Sequence, residues 1–154
     1  MAQTETPKEA PWYDAYPAPE SVAPSLPRHE LLEWFQAGRK PGQDFVLVDV
    51  RRTDFEGGTI RGSINLPAHS LYPTLASVHA LLASSGVHHV IWYCGSCGGR
   101  GPRAAAWFAD YLRQVQDTSM TSMILEGGIK GWVAAGAKYT ELMDGYDASF
   151  WVTK

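Results

Sequence analysis

The stretch from Val90 to Leu112 constrains the fold of this chain more than any other. It runs Val-Ile-Trp-Tyr, then Cys94-Gly-Ser-Cys-Gly-Gly-Arg100-Gly-Pro-Arg103, then Ala-Ala-Ala-Trp-Phe-Ala-Asp-Tyr-Leu. The apolar run predicts a buried strand. The alanine-rich run predicts a helix, with Pro102 suited to its first turn. Small residues and two arginines must turn the chain from one to the other. A strand, a tight loop and a helix in that order belong to a sheet whose strands alternate with helices.

The rest of the chain repeats that alternation. Arg28 to Gly38 carries Leu31, Leu32, Trp34 and Phe35 and ends at a glycine, as a short amphipathic helix does. Phe45-Val-Leu-Val-Asp-Val50 is nearly continuous in apolar residues, the mark of a central parallel strand. A short strand is predicted over Ser63–Leu66, stopped by Pro67, and a helix over Leu71–Ser84 with Leu75, Val78, Leu81 and Leu82 on one stripe. Met120–Leu125 reads as a strand and Gly128–Ala135 as a short helix. The expectation is an α/β three-layer sandwich, a mainly parallel sheet flanked by helices, without internal repeats. In such sheets ligands bind beyond the carboxyl ends of the strands. Cys94 sits at one of those ends.

A chain of 154 residues is expected to form one domain with a real core. Six of its ten prolines (Pro7, Pro11, Pro17, Pro19, Pro24 and Pro27) fall in residues 1–27. That segment is expected to be an extension, extended, poorly ordered or draped over the domain of residues 28–154. Its Trp12, Tyr13 and Tyr16 either pack on the domain or contact a partner. A net charge of −3 gives no reason to expect nucleic-acid or membrane affinity. There is no apolar run of about 18 residues to span a bilayer. The N-terminus lacks the basic and apolar regions of a secretory signal. The two cysteines, 94 and 97, are too close to staple distant parts of a fold. They point to a reducing compartment, cytosol or nucleus, and to a chemical use of sulfur.

That use follows from the loop. Backbone N–H groups there and at the helix N-terminus form an anion cradle. Arg100 adds a planar fork of donors. The same field is expected to lower the pKa of Cys94, placed at an exposed loop position, to roughly 3.5–7.5. Arg103 either joins the cradle or is solvated. Cys97 admits several readings: a small loop filler, the second thiol of a Cys-x-x-Cys pair, or a reversible disulfide partner of Cys94. His89 lies about 16 Å up the same strand at ordinary rise, too far to act as a base, and His88 lies further. His29, His69 and His79 have no assigned place. Two cysteines without clustered histidines give no metal site, and no cofactor is expected. The carboxylates that qualify as acids are Asp49, Asp54, Glu56 and Glu126. Of these, Asp49 is expected to orient the loop or pair with an arginine, while Asp54 and Glu56 reach the mouth of the site. Gly127 and Gly128 suit a tight turn.

Three blocks carry a family resemblance. Val48-Asp-Val-Arg51 followed by Phe55-Glu-Gly-Gly-Thr-Ile-Arg-Gly-Ser-Ile-Asn-Leu-Pro67 resembles the first block of rhodanese-like domains. Leu125-Glu-Gly-Gly-Ile-Lys-Gly-Trp132 resembles their closing block. Sulfur-transferring rhodaneses typically have a loop one residue shorter. The Cys-x5-Arg spacing, the trailing Gly-Pro-Arg and Glu56-Gly-Gly58 resemble instead the M-phase inducer dual-specificity phosphatases and the fungal arsenate reductases. The resemblance spans roughly residues 28–136. It implies Cys94 as nucleophile and Arg100 as oxyanion clamp, with Gly95, Ser96, Cys97, Gly98, Gly99 and Gly101 binding substrate. Tyr93 and Thr59 stand where the family usually has histidines. Residues 95–99 hold none of the acidic side chains found in the inducer phosphatases, and general acid catalysis contributes 10²–10⁴-fold.

The activity this implies is a cysteine-dependent phosphatase of the tyrosine or dual-specificity type, acting through a thiophosphate on Cys94. The alternatives are an arsenate reductase drawing on glutathione or glutaredoxin, a sulfurtransferase, and a non-catalytic anion-binding interaction module. The partner in the first two is an anionic substrate, phosphoester or arsenate.

Overall fold

The computed structural model of the chain describes residues 10–96 and 98–152. After a 3-10 turn at Trp12–Ala15, its strands and α-helices begin in chain order with β1 (Ser25–Leu26), α1 (Arg28–Gln36), β2 (Val46–Asp49), β3 (Thr59–Ile60) and β4 (Ile64–Asn65). Next come α2 (Ala68–Leu71), α3 (Leu75–Ser85), β5 (His89–Tyr93) and α4 (Arg100–Gln114). The chain closes with β6 (Thr121–Leu125), α5 (Gly128–Ala134), α6 (Ala137–Thr140), β7 (Met143–Asp144) and α7 (Ala148–Val152).

Five strands form one parallel sheet in the order β1-β6-β5-β2-β4. Strands β3 and β7 make a separate antiparallel pair. The central strands read as apolar runs because both faces of the sheet are covered. Their side chains alternate strictly. Val46, Val48, Val50, Val90 and Trp92 pack with Leu71, Leu75, Trp107 and Phe108 from the α2–α4 layer. Leu47, Ile91 and Tyr93 face the other way, toward Leu31 of α1 and Ile129 and Trp132 of α5.

Residues 10–24 drape over the α4 face. Trp12, Tyr13 and Tyr16 pack against the core. The Trp107 indole donates to the Pro17 carbonyl at 2.9 Å, and the Asp110 carboxylate accepts the N–H groups of Glu20 and Ser21. The proline-rich segment then enters the sheet itself, since β1 pairs with β6.

Three elements differ from the sequence expectation. The single helix over Leu71–Ser84 is two helices joined by a 3-10 turn at Tyr72–Thr74. Pro73 supplies the reason, because it has no N–H to continue the ladder and its ring opposes a regular helix there. The helix after the loop starts earlier, at Arg100, so that arginine is its first residue. The strand over Ser63–Leu66 shrinks to Ile64–Asn65 at the sheet edge, and Leu66 continues only through its N–H bond to the Asp49 carbonyl.

Asp49 aligns with Tyr93 on one side and Asn65 on the other. The segments leaving β2, β4 and β5 therefore emerge together at one sheet edge.

Candidate active site

Cys94 directly follows β5, keeps its alternation on the same face as Val90 and Trp92, and is 3% exposed. This corrects the expectation of an exposed position. Strand alternation points the thiol toward α4, and the loop folds over it. Its sulfur accepts the Gly101 N–H at 3.3 Å, a donor from the first turn of α4. The sulfur therefore rests against the N-terminal turn of α4.

The loop is seated from below by α5. Ile129 N–H donates to the Cys94 carbonyl at 3.0 Å and Lys130 N–H to the Gly95 carbonyl at 2.9 Å. Gly128 makes this approach possible. A Cβ there would lie 2.6 Å from both carbonyl oxygens, and its φ of +59 is left-handed. The Gly127-Gly128 pair thus serves a turn, as expected, and also admits the loop. Gly95 is buried, whereas Ser96, Gly98 and Gly99 are exposed at the mouth. Cys97, and with it every reading of that thiol, lies outside the described residues.

Arg100 does not stand alone at the mouth. Its Nη1 and Nη2 donate to the two oxygens of Asp54 at 2.8 and 2.6 Å. An end-on pair of this kind leaves N–H groups on the flank of the guanidinium for a second anion. Nη2 faces the loop, 3.8 Å from where a Gly95 Cβ would stand. The bond from Arg100 holds the Asp54 carboxyl far below the ordinary carboxylate range, against the opposing effect of partial burial. The same bond pushes the Arg100 pKa upward, although burial opposes it.

Asp49 pairs with an arginine, as the sequence led us to expect, and the arginine is Arg51. Thr59 Oγ1 donates to Asp49 at 2.8 Å and also meets the Tyr93 hydroxyl at 2.7 Å. The two positions at which the chain departs from family histidines are therefore one hydrogen-bonded unit. Ser63 Oγ (2.6 Å) and the Ile60 N–H (3.2 Å) complete it. Burial, then the nearby Asp49, raises the Tyr93 pKa far above its ordinary value, so the phenol stays protonated. Tyr93 faces away from the sulfur, in the opposite core.

Of the remaining candidates, Glu56 and Glu126 are exposed. Arg103 turns from the loop and lies over the Tyr13 ring, 3.6 Å from its centroid. His69 stacks on Trp12 at 4.2 Å, and burial lowers its pKa, with smaller contributions from Arg52 and Arg100.

Sequence reasoning did not find a pocket of about 170 Å³ beside Gly95, bounded by Arg51, Asp54, Ile129, Lys130, Phe150 and Trp151. Its aromatic wall comes from the C-terminal segment. The Trp151 indole donates to the Gly57 carbonyl at 2.8 Å, and a Cβ on Gly57 would collide with Phe150.

The chain matches the sequence model of the rhodanese-like domain over residues 29–135. It is similar to Arsenical-resistance protein 2 of Saccharomyces cerevisiae, 33% identical over 97 residues, which span 58% of this chain and 75% of that one. Its fold is similar to the solved structure of Ygr203w, described as a yeast protein tyrosine phosphatase of the rhodanese family. The TM-score is 0.71 at 26% identity, over 85% of this chain and 98% of the other. The As–Sb reductase of Leishmania major shares the fold with a TM-score of 0.71 at 20% identity, over 79% of this chain and 84% of the other.

Proposed function

The chain belongs to the rhodanese-like domain family, and on that premise we propose that it is a thiol-dependent arsenate reductase with Cys94 as nucleophile. The observation that carries this reading is the Asp54–Arg100 pair. A phosphomonoester leaves through a bridging oxygen that has no proton, so the enzyme must supply one. Asp54 is the carboxylate hydrogen-bonded to Arg100, and that bond keeps it ionised at neutral pH. The sequence of residues 95–99 offers no replacement. Arsenate needs no such donor, because its departing oxygen is already a hydroxyl and the anion carries its own proton. Similarity to an arsenical-resistance protein supports the same conclusion.

The steps balance as thiol chemistry. The Cys94 thiolate attacks arsenic(V), an S–As bond forms and water departs. Arg100 and backbone N–H groups of the loop hold the oxygens as charge shifts among them. An external thiolate then attacks the Cys94 sulfur. An S–S bond forms, the S–As bond breaks, and its electron pair leaves with arsenic, which departs as arsenite. A second external thiol reduces the mixed disulfide and restores Cys94. Glutathione or glutaredoxin suits the thiol role, and a reducing compartment, cytosol or nucleus, suits the cycle.

Phosphomonoester hydrolysis through a thiophosphate on Cys94 is the second reading, favoured by the likeness to Ygr203w. The test is to incubate the purified chain with arsenate and glutathione, with an aryl phosphate, and with thiosulfate and cyanide. Arsenite is expected in the first alone, and Cys94→Ser is expected to abolish it without changing the thermal midpoint. Aryl phosphate turnover without arsenite would overturn the reductase reading. Arsenite formation by Cys94→Ser would overturn the nucleophile.

A further inference from the structure

The pocket beside Gly95 has features that the chemistry at Cys94 does not use. Two of its three charged walls are already satisfied. Arg51 is occupied by Asp49 and by the carbonyls of Asp54, Glu56 and Gly58. Asp54 is neutralised by Arg100. Lys130 is different: among the described residues its ammonium has no carboxylate partner, although its backbone is pinned to the loop through Gly95. Its Cε stands 3.7 Å from where a Gly95 Cβ would be, so the charge sits at the entrance to the loop. Opposite it, the Phe150 and Trp151 rings meet edge-on at 4.9 Å. These two residues lie beyond the stretch matched by the family, which ends at 135.

We infer that this pocket seats the external thiol, and that the thiol is a small one bearing free carboxylates, of the glutathione class. The inference rests on the arsenate reading, since that reaction needs a second thiol at the loop and phosphate ester hydrolysis does not. Size argues for a small arm. A volume of about 170 Å³ is close to the roughly 150 Å³ cavity that holds benzene in an engineered core, so it takes a peptide end and not a protein helix. Charge argues for a carboxylate, because Lys130 is the wall cation left without a counter-charge among the described residues. Position argues for the thiol, because the pocket opens directly onto the residue after Cys94. The aromatic wall adds apolar contact for the arm.

Two measurements test this on the full chain. The first titrates the non-reacting probe S-methylglutathione into isotope-labelled protein and follows the Trp151 indole N–H by NMR. A saturable shift is expected in the parent, weakened about tenfold or more in Lys130→Glu, the scale of losing a charge-assisted contact. No shift at Trp151, or one unaffected by Lys130→Glu, overturns the pocket. The second compares arsenate reduction driven by glutathione and by uncharged 2-mercaptoethanol. The ratio of the two kcat/KM values is expected to fall about tenfold in Lys130→Glu, and an unchanged ratio overturns the inference. The two failures remain separate. A Trp151 shift without arsenite from any thiol keeps the pocket and ends the reductase reading. Arsenite formation with a silent Trp151 does the reverse.

Discussion

Two aspartate–arginine pairs arise within a few residues of each other, and burial gives them different work. Asp49 and Arg51 are 0% and 2% exposed, and each side-chain nitrogen and oxygen of the pair is engaged. Arg51 reaches both Asp49 oxygens and three carbonyls of the following turn, while Thr59 and the Arg51 N–H complete Asp49. This pair is a hub that folds residues 49–59 into shape. Asp54 and Arg100 are 49% and 25% exposed, and the contact joins residues 46 apart in sequence. It adds little to stability, as exposed pairs do. What it does is hold a guanidinium beside the cysteine loop with part of its donor edge unspent. The buried pair stabilises the backbone on which the exposed pair stands.

The sharpest way to break the comparison is to remove one partner from the hub. Arg51→Ala leaves Asp49 buried and uncompensated, and breaking a buried pair costs about 3–5 kcal/mol. Chemical denaturation is expected to show a loss of that size, with the thermal midpoint falling accordingly. A loss below about 1 kcal/mol would mean that water or rearrangement replaces Arg51, and the hub would not be structural.

Arg100→Lys probes the other pair through activity. The substitution keeps the charge and loses the fork. A preorganised oxyanion donor is worth roughly 10²–10³-fold, so kcat/KM for arsenate is expected to fall by that factor. The loss should appear mainly in kcat if the clamp tightens in the transition state. The unfolding midpoint is expected to stay within the scatter of exposed substitutions. Turnover within about twofold of the parent would show that the bidentate geometry serves Asp54 alone.

The contrast between the pairs also shows what the sequence could convey. Strands β2 and β5 were legible because burial on both faces leaves an unbroken apolar record. The loop was legible because cysteine, glycine and arginine are chemically distinctive. The burial of Cys94 was present in the alternation of Val90, Trp92 and Cys94, but the glycine-rich loop masked it. Tyr93 and Thr59 each looked like an isolated departure, and only the fold shows that they bond to each other. Strand β1 left no local trace, since Ser25–Leu26 is a strand solely through its pairing with β6. The C-terminal wall was hidden for the same reason. Gly57 and Gly58 are small because Phe150 and Tyr146 come to rest on them, from about ninety residues away. Asp54 could be placed near the mouth, but its partner could not be chosen from sequence distance.

Asp54→Asn carries the smallest expected effect and separates positioning from stability. Without its anchor Arg100 still bears its charge but is no longer fixed. Misplacement by about 1 Å can cost 10²-fold, and a guanidinium free to return part of the time loses less, so a fall of roughly tenfold in kcat/KM is expected. Asp54→Glu, which keeps the carboxylate, is expected to recover part of it. A purely structural role would not show that rescue. Stability at neutral pH should change by no more than about 1 kcal/mol. Its pH dependence has a definite sign. The Asp54 carboxyl is depressed in the folded state, against about 3.9 unfolded, so its contribution is present above the unfolded value and is lost as pH falls toward the folded one. The difference between parent and Asp54→Asn is therefore expected to be constant above about pH 5 and to shrink steadily below about pH 4. Asp117, drawn down to about 2 by Ser119 and His79, titrates in the same acid range in both proteins and cancels from the comparison. A parent–variant difference that grows on acidification would mean that Asp54 is strained in the folded state. Arg100 would then be held against its preference, not positioned by it.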